Sequence, residues 1–137
     1  AASTDVNING SNELHSVSSS IEFKNNVRAL AIDSKLLYRL QPRSFTWNDR
    51  SGSPGLDDFG LVSEEVAEVL PGIVSYRDPD FPKFEETVDE DGNKSRNAVG
   101  LPNPDNLKPF GIRNRELAVL LLAEVQDHER RLTALGA

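Results

Sequence analysis

The residues best suited to chemistry lie in the segment SSIEFKNNV, residues 19–27 of this 137-residue chain. Paired serines stand shortly before a lysine that follows Phe23 and precedes two asparagines. A lysine that burial keeps neutral can accept the proton of a serine hydroxyl, so the serine attacks a carbonyl carbon without any histidine or aspartate. Ser19 and Lys24 are five positions apart. Two side chains at this spacing do not lie on the same face of a straight helix or of a strand. This chemistry therefore requires a bend between them.

The same segment has a purely structural interpretation. Ser19 and Glu22 fit the S-x-x-E capping box, which opens a helix and involves no catalysis. Helix starts are common and Ser-Lys dyads are rare, so the spacing alone favours the cap over the nucleophile.

Composition limits the classes of function. Apolar residues make up 37% of the chain, which indicates a modest core and leaves segments for a partner chain to cover. The formal net charge of −7 argues against a nucleic-acid or anionic-membrane surface. With no cysteine there is neither a disulfide nor a thiolate metal site, and no apolar run is long enough to span a membrane. We expect no cofactor and no metal.

Apolar periodicity predicts an α+β fold with a small mixed core of short strands and helices. Residues 1–18 are expected to form a short strand or ribbon that ends an upstream β-stalk, in a piece cut from a longer protein. The other predicted elements are a strand or turn at 27–33, a helix capped by Asp33 or Ser34 that stops at Pro42, a strand at 43–47, a strand at 59–62, a helix capped by Ser63 and a strand at 73–76.

Residues 77–111 lose this periodicity and contain five of the eight prolines. We expect a long extended arm that lies on another subunit or on the stalk, since such a stretch exceeds an ordinary connection. The Asp-Gly pair within 89–93 predicts a protruding β-ribbon. The acids there lack the ligand spacing and final bidentate Glu of a calcium loop, so no metal site is predicted.

A regular pattern returns from Ile112 and predicts a C-terminal helix over 112–137. Steps of three and four residues define a heptad seam, typical of a coiled coil that joins chains. Four further apolar residues, Leu117, Val119, Leu120 and Leu122, should pack on the globular part, residues 19–111. The seam residues are Ala118, Leu121, Val125, His128, Leu132 and Leu135.

Four segments together resemble the chaperone-of-endosialidase family, the intramolecular chaperone domain at the C-terminus of phage tailspikes and tail fibres. Their order and spacing agree over residues 14–135. The segments are SSIEFKNNV (19–27), LLYRLQPRSFTW (36–47), FGLVSEEVAEVLPGIV (59–74) and RELAVLLLAEVQDHERRL (115–132).

The resemblance implies a homotrimer that folds a β-stalk on the same polypeptide and then cuts itself off. It implies Ser19 as nucleophile, Lys24 as its base and Ser18–Ser19 as the scissile bond, with Ser20 as the alternative nucleophile. It also implies a tail fibre or tailspike precursor that assembles in the host cytoplasm and ends in the virion. With the resemblance included, the nucleophile is favoured over the cap for Ser19.

Two other functions fit the same residues. One is a trimerisation scaffold that stays attached to the fibre without cleavage. The other is a membrane-tethered transcription factor that uses the same domain, which the acidic charge and the lack of a basic region disfavour.

Overall fold

A computed structural model describes the backbone of residues 6–8 and 14–16, and residues 19–136 in full. The chain divides into two compact units, residues 1–32 and 33–137.

The first unit contains one small antiparallel ribbon and one helical turn. Strand β1 (Val6–Ile8) pairs with β2 (Leu14–Ser16), which agrees with the strand or ribbon predicted for this region. A 3-10 turn follows at Ile21–Phe23. Residues 27–33 form neither a strand nor a hydrogen-bonded turn and are exposed, so the half-buried strand or turn predicted there is wrong.

The second unit is organised around helix α1 (Ser63–Val69). Its apolar stripe buries Val66 and the following Leu70, as predicted, and Glu64 lies in the first turn, where a negative charge suits the helix dipole. The predicted cap is wrong: Val62 occupies the N-cap position and Ser63 is the first helical residue. The buried hydrophobic residues of the described chain are Val66, Leu70, Ile73, Val74 and Leu120.

A 3-10 helix and a hairpin precede α1. The helix spans Ser34–Arg39 and begins with the Asp33 carboxylate, which accepts a hydrogen bond from the backbone N–H of Lys35. Strand β3 (Arg43–Thr46) pairs antiparallel with β4 (Asp57–Gly60). The predicted helix is thus confirmed as 3-10 helix and the strand at 43–47 is confirmed, whereas β4 begins two residues earlier than expected.

The chain after α1 forms a strand that pairs with a distant one. Strand β5 (Val74–Arg77) pairs antiparallel with β8 (Lys108–Ile112), so the end of the predicted arm returns to the core. Gly111 stands opposite Ser75, and a Cβ at this glycine would lie 2.7 Å from the Ser75 hydroxyl oxygen. A larger residue at position 111 would therefore require the Ser75 hydroxyl to rotate away.

Between these strands the chain forms the predicted β-ribbon. Strand β6 (Lys83–Val88) pairs with β7 (Lys94–Val99) through six residue pairs. The turn closes where the Asp89 backbone N–H donates to the Asn93 carbonyl at 3.0 Å, and Gly92 adopts a φ of 81° that glycine permits. All but one of the ribbon's twelve residues are exposed, so the ribbon projects from the core.

Helix α2 (Asn114–Ala134) completes the unit and packs on the 3-10 helix Ser34–Arg39. Its Leu120 is 2% exposed and Leu117 lies against the same core. Short strands, two α-helices and a small core in the described residues confirm the predicted α+β class.

Candidate functional site

The two residues predicted to react are in hydrogen-bond contact. The Lys24 Nζ lies 2.8 Å from the Ser19 Oγ and also 2.8 Å from the Ser19 carbonyl oxygen. In the ammonium form Nζ donates to both oxygens, and in the neutral amine its lone pair can accept the proton of the hydroxyl at the same distance. A contact of this length is one of the requirements for a nucleophile and its general base.

The bend between them is the 3-10 turn Ile21–Phe23. Ser20 stands at its N-cap in an extended conformation, and its hydroxyl oxygen accepts the backbone N–H of Glu22 at 3.2 Å. The Ser20 carbonyl accepts the N–H of Phe23 at 3.2 Å, and the Ile21 carbonyl accepts that of Lys24 at 3.1 Å. The capping box predicted for Ser19 and Glu22 is therefore wrong, because Ser20 is the cap and the turn has only three residues.

The site is open to solvent within one chain. Ser19 and Lys24 are both exposed, and so are the apolar side chains near the lysine in sequence, which we expected to shield it from water together with a neighbouring subunit. Ile21 is 69%, Phe23 70% and Val27 65% exposed. Within one chain, these three side chains alone therefore do not shield the lysine from water. Ser18, on the other side of the predicted scissile bond, lies outside the described residues.

The predicted seam forms an exposed stripe along α2. Val125 is 63% and Leu132 52% exposed, and Leu121 and Leu135 are similarly open. Of the four residues expected to pack on the globular part, Leu117 and Leu120 do so. The expectation is wrong for Val119 and Leu122, which are 54% and 57% exposed, because they lie away from the face that meets the core.

His128 differs from the other seam residues because it has partners within its own chain. Its ring stacks on Tyr38 with centroids 5.9 Å apart, and its Nε2 is hydrogen bonded to the Tyr38 hydroxyl. Glu124, one turn earlier, has a carboxylate oxygen 3.4 Å from the same nitrogen. His128 therefore lies at the edge between the seam and the face that meets the 3-10 helix.

Glu124 is the buried member of a polar network that was not predicted from the sequence. It is 6% exposed, accepts a hydrogen bond from the Ser34 hydroxyl at 2.7 Å and pairs with the Arg131 guanidinium at 2.9 Å. Hydrogen bonding by Ser34, joined by Tyr38 and the charge of Arg131, outweighs burial and lowers the pKa of the Glu124 carboxyl. The sequence did contain a signal for this network, because Glu124, Asp127 and Arg131 follow one another at steps of three and four residues. Two acidic side chains and one basic side chain at this spacing lie on one face of a helix, where they can pair.

Asp127 extends this network. Its Oδ2 lies 2.9 Å from the Arg131 Nε, a charge contact without good hydrogen-bond alignment, and 3.8 Å from the Lys35 Nζ. Burial works to raise the pKa of Asp127, but Lys35 and Arg131 together leave it below the ordinary value. The network joins α2 to the 3-10 helix and is a structural element, remote in sequence from Ser19.

A second buried carboxylate, Asp78, lies at the base of the ribbon. It is 6% exposed and accepts the backbone N–H groups of Asn103 and Asp80, each at 2.9 Å, and the Asn106 side-chain amide. The bonds from Asn103 and Asp80 are the leading causes that lower the pKa of Asp78. A cavity of about 250 Å³ adjoins it. The groups that donate to Asp78 are backbone N–H groups and a side-chain amide, so Asp78 holds the loop of Asn103 and Asn106 in place. We call this set of hydrogen bonds the Asp78 clamp.

Neither a metal cluster nor a membrane span is found in the described part of the chain. No group of three or more His, Cys, Asp or Glu side chains there could hold a metal ion. Of the helices described, none has the length and apolar character to cross a bilayer.

Comparison with known proteins supports the predicted family. No curated protein matches the chain. The family model Peptidase S74, described as chaperone of endosialidase, matches residues 19–75, a span that contains Ser19, Lys24 and α1. The predicted resemblance to the chaperone-of-endosialidase family is thus confirmed over residues 19–75.

Proposed function

We propose that this chain is an intramolecular chaperone that trimerises, folds the β-stalk of a phage tail fibre or tailspike upstream on the same polypeptide, and then releases itself at Ser18–Ser19. The observation that carries the peptidase part is the 2.8 Å contact between the Lys24 Nζ and the Ser19 Oγ inside a segment of this family. The precursor assembles in the host cytoplasm and the product belongs to the virion.

The proposed reaction begins with proton transfer from the Ser19 hydroxyl to the neutral amine of Lys24. The Ser19 oxygen then attacks the carbonyl carbon of Ser18, in the same chain or across the trimer. The resulting Lys24 ammonium protonates the amide nitrogen of Ser19 as the C–N bond breaks. The acyl group remains as an ester on the serine oxygen until water hydrolyses it, which leaves Ser19 as a new N-terminus.

Assembly supplies the desolvation that one chain lacks. Because Ile21, Phe23 and Val27 are exposed, an apolar partner surface can close over them and exclude water from Lys24. Removing water disfavours the ammonium form and makes the lysine a competent base. Cleavage would then wait for correct assembly.

In the proposed trimer, the chains contact one another through the seam of α2, one helix from each of three copies. Leu121, Val125 and Leu132 are exposed on one side of α2, as the a and d positions of a coiled coil are in an isolated chain. Stalks with strands paired between chains fold slowly, and a helix that joins three copies first raises their effective concentration. The projecting ribbon, residues 83–99, is proposed to lie on another subunit or on the stalk.

Intact-mass spectrometry of the purified chain tests the peptidase role. We expect a product that begins at Ser19 from the wild-type chain, and uncleaved chain from Ser19→Ala and Lys24→Ala. A Ser19→Ala or Lys24→Ala variant that still lost residues 1–18 would refute the dyad.

The rival function is a trimerisation scaffold that stays attached. The observation that favours it is the exposure of Ser19 and Lys24, since the proposed reaction requires a site that is shielded from water. A wild-type chain that remains intact while sedimenting as a trimer would establish the scaffold and exclude the peptidase.

A further inference from the structure

Ser20 occupies the position that decides whether Lys24 can reach Ser19. We propose that Ser20 is a positioning residue for self-cleavage, whose hydroxyl fixes the 3-10 turn that carries the lysine back over Ser19. The inference rests on the proposed peptidase function and assigns to Ser20 a role other than nucleophile.

The distance between the two reacting residues makes a turn necessary. In an extended chain, five residues would separate the two Cα atoms by roughly 17 Å, beyond the reach of a lysine side chain. The observed hydrogen bonds of 2.8 Å from Nζ to Ser19 exist because the backbone reverses within Ser20–Lys24. Whatever stabilises this reversal therefore controls the population of the reactive geometry.

Ser20 makes two of the hydrogen bonds that hold the turn. Its hydroxyl accepts the N–H of Glu22 and its carbonyl accepts the N–H of Phe23, each at 3.2 Å. A single 3-10 turn does not sustain itself, since nucleating a helix fixes several residues for one hydrogen bond. Ile21 and Phe23 are about 70% exposed within the chain, so packing contributes little. The side-chain cap is thus a large part of what holds the turn.

The bonding also separates the two serines by role. Lys24 Nζ contacts the hydroxyl and the carbonyl of Ser19, whereas the Ser20 hydroxyl oxygen is engaged by the Glu22 amide. A nucleophile must give up its proton to the base, while a cap needs only an acceptor oxygen. Asparagine has that oxygen and no hydroxyl, so it can replace a cap but not a nucleophile.

Three versions of the 137-residue chain test the inference: wild type, Ser20→Ala and Ser20→Asn. Intact mass followed over time gives the cleavage rate, and the melting of unit two, followed by Trp47 fluorescence, checks that the core is unchanged. We expect Ser20→Ala to slow cleavage about five-fold, the factor that corresponds to loss of an N-cap, and Ser20→Asn to stay within about two-fold of wild type. The shape of the pH–rate profile should be the same in all three.

Two outcomes would overturn the positioning role of Ser20. Wild-type cleavage by Ser20→Ala would show that the cap is dispensable. Equal loss in Ser20→Ala and Ser20→Asn would show that the hydroxyl itself is required, as for a nucleophile.

A second measurement keeps the test separate from the peptidase proposal. If the wild-type chain stays intact, the peptidase proposal is refuted. NMR then tests by itself whether Ser20 positions Lys24. The nuclear Overhauser contact between the Lys24 ε-methylene and the Ser19 β-protons should be present in wild type and Ser20→Asn and weakened in Ser20→Ala. The same contact in all three, or its absence from wild type, would refute the inference.

Discussion

At the scale of single residues, the chain brings a hydroxyl and an amine together with one turn of backbone. The Lys24 Nζ is 2.8 Å from both the Ser19 Oγ and its carbonyl oxygen, so the side chain is anchored at the atom it would deprotonate. Holding the base in place in this way removes most of the orientational cost of proton transfer. The proton can move only if the lysine also spends time as a neutral amine.

Lys24→Arg separates hydrogen bonding from base chemistry. Arginine can still donate to the Ser19 oxygens, but it remains protonated and cannot accept the hydroxyl proton. We expect cleavage at Ser18–Ser19 to fall by about 10²-fold or more, the contribution typical of a general base. The measurement is the fraction of intact mass over time.

Lys94→Arg, on the exposed ribbon, is the matched control and should cleave at the wild-type rate. Cleavage by Lys24→Arg at the rate of this control would mean that the lysine acts only as a hydrogen-bond donor.

At the scale of elements, α2 has two different faces. One face places Leu120 in the core and Glu124 against the Ser34 hydroxyl, and the other leaves Val125 and Leu132 in solvent. The first face fixes the helix to its own chain, and the second is free for another. Hydrophobicity alone does not distinguish them, because both contain leucine.

Truncation of single leucines measures this difference. Leu120→Ala removes a side chain that is 2% exposed and should lower the free energy of unfolding by about 2–5 kcal/mol. Leu122→Ala makes the same change at a 57% exposed position and should cost less than about 0.5 kcal/mol. Denaturant titration of both variants is the measurement, and equal losses would contradict the assignment of the two faces.

The clamp at Asp78 should make the base of the ribbon sensitive to acid. Hydrogen bonds from Asn103 and Asp80 lower the pKa of Asp78 in the folded chain, so its contribution to stability is present above the ordinary aspartate pKa and is lost as pH falls through the folded value. Asp78→Asn should lower the denaturation midpoint at neutral pH, and the gap from wild type should close below about pH 4.

Asp91→Asn is the control, because this aspartate lies in the exposed ribbon turn. Its denaturation midpoint should follow that of wild type at both pH values. A gap for Asp78→Asn that persists unchanged at low pH would show that charge is not what holds the loop.

At the scale of the whole molecule, the proposed trimer links assembly to cleavage. Val125→Glu places a charge at a core position of the coiled coil and should turn a trimer into a monomer in sedimentation at micromolar concentration. Self-cleavage should be lost with it, since assembly supplies the cover over Lys24.

Val119→Glu introduces the same charge on the same helix away from the seam, and should leave both properties unchanged. A wild-type chain that sediments as a monomer would refute the trimer, and cleavage by a monomeric Val125→Glu would refute the coupling.

Much of this architecture follows from local sequence. Period-two and period-3.6 patterns identified β3, α1 and α2. The ribbon was identified differently, from the Asp-Gly pair at its turn. The Ser63 cap and the strand or turn at 27–33 were wrong, since a cap depends on where the chain enters the helix and a strand needs a partner to pair with. The Glu124 network was missed because its partner Ser34 is 90 positions away. For Ser19 and Lys24, the five-residue spacing implied a bend and the family resemblance supplied the roles, but the cap at Ser20 needed coordinates.

The pairing of β5 with β8 has a practical consequence. Arg77 and Lys108 face each other across the ladder, so the polypeptide leaves the core and re-enters it at points roughly 5 Å apart. The ribbon beyond the Asp78 clamp, residues 83–99, can therefore be shortened to a tight connection or exchanged for a foreign peptide without parting the two strands. The fold thus offers a ready insertion point for display or affinity tags.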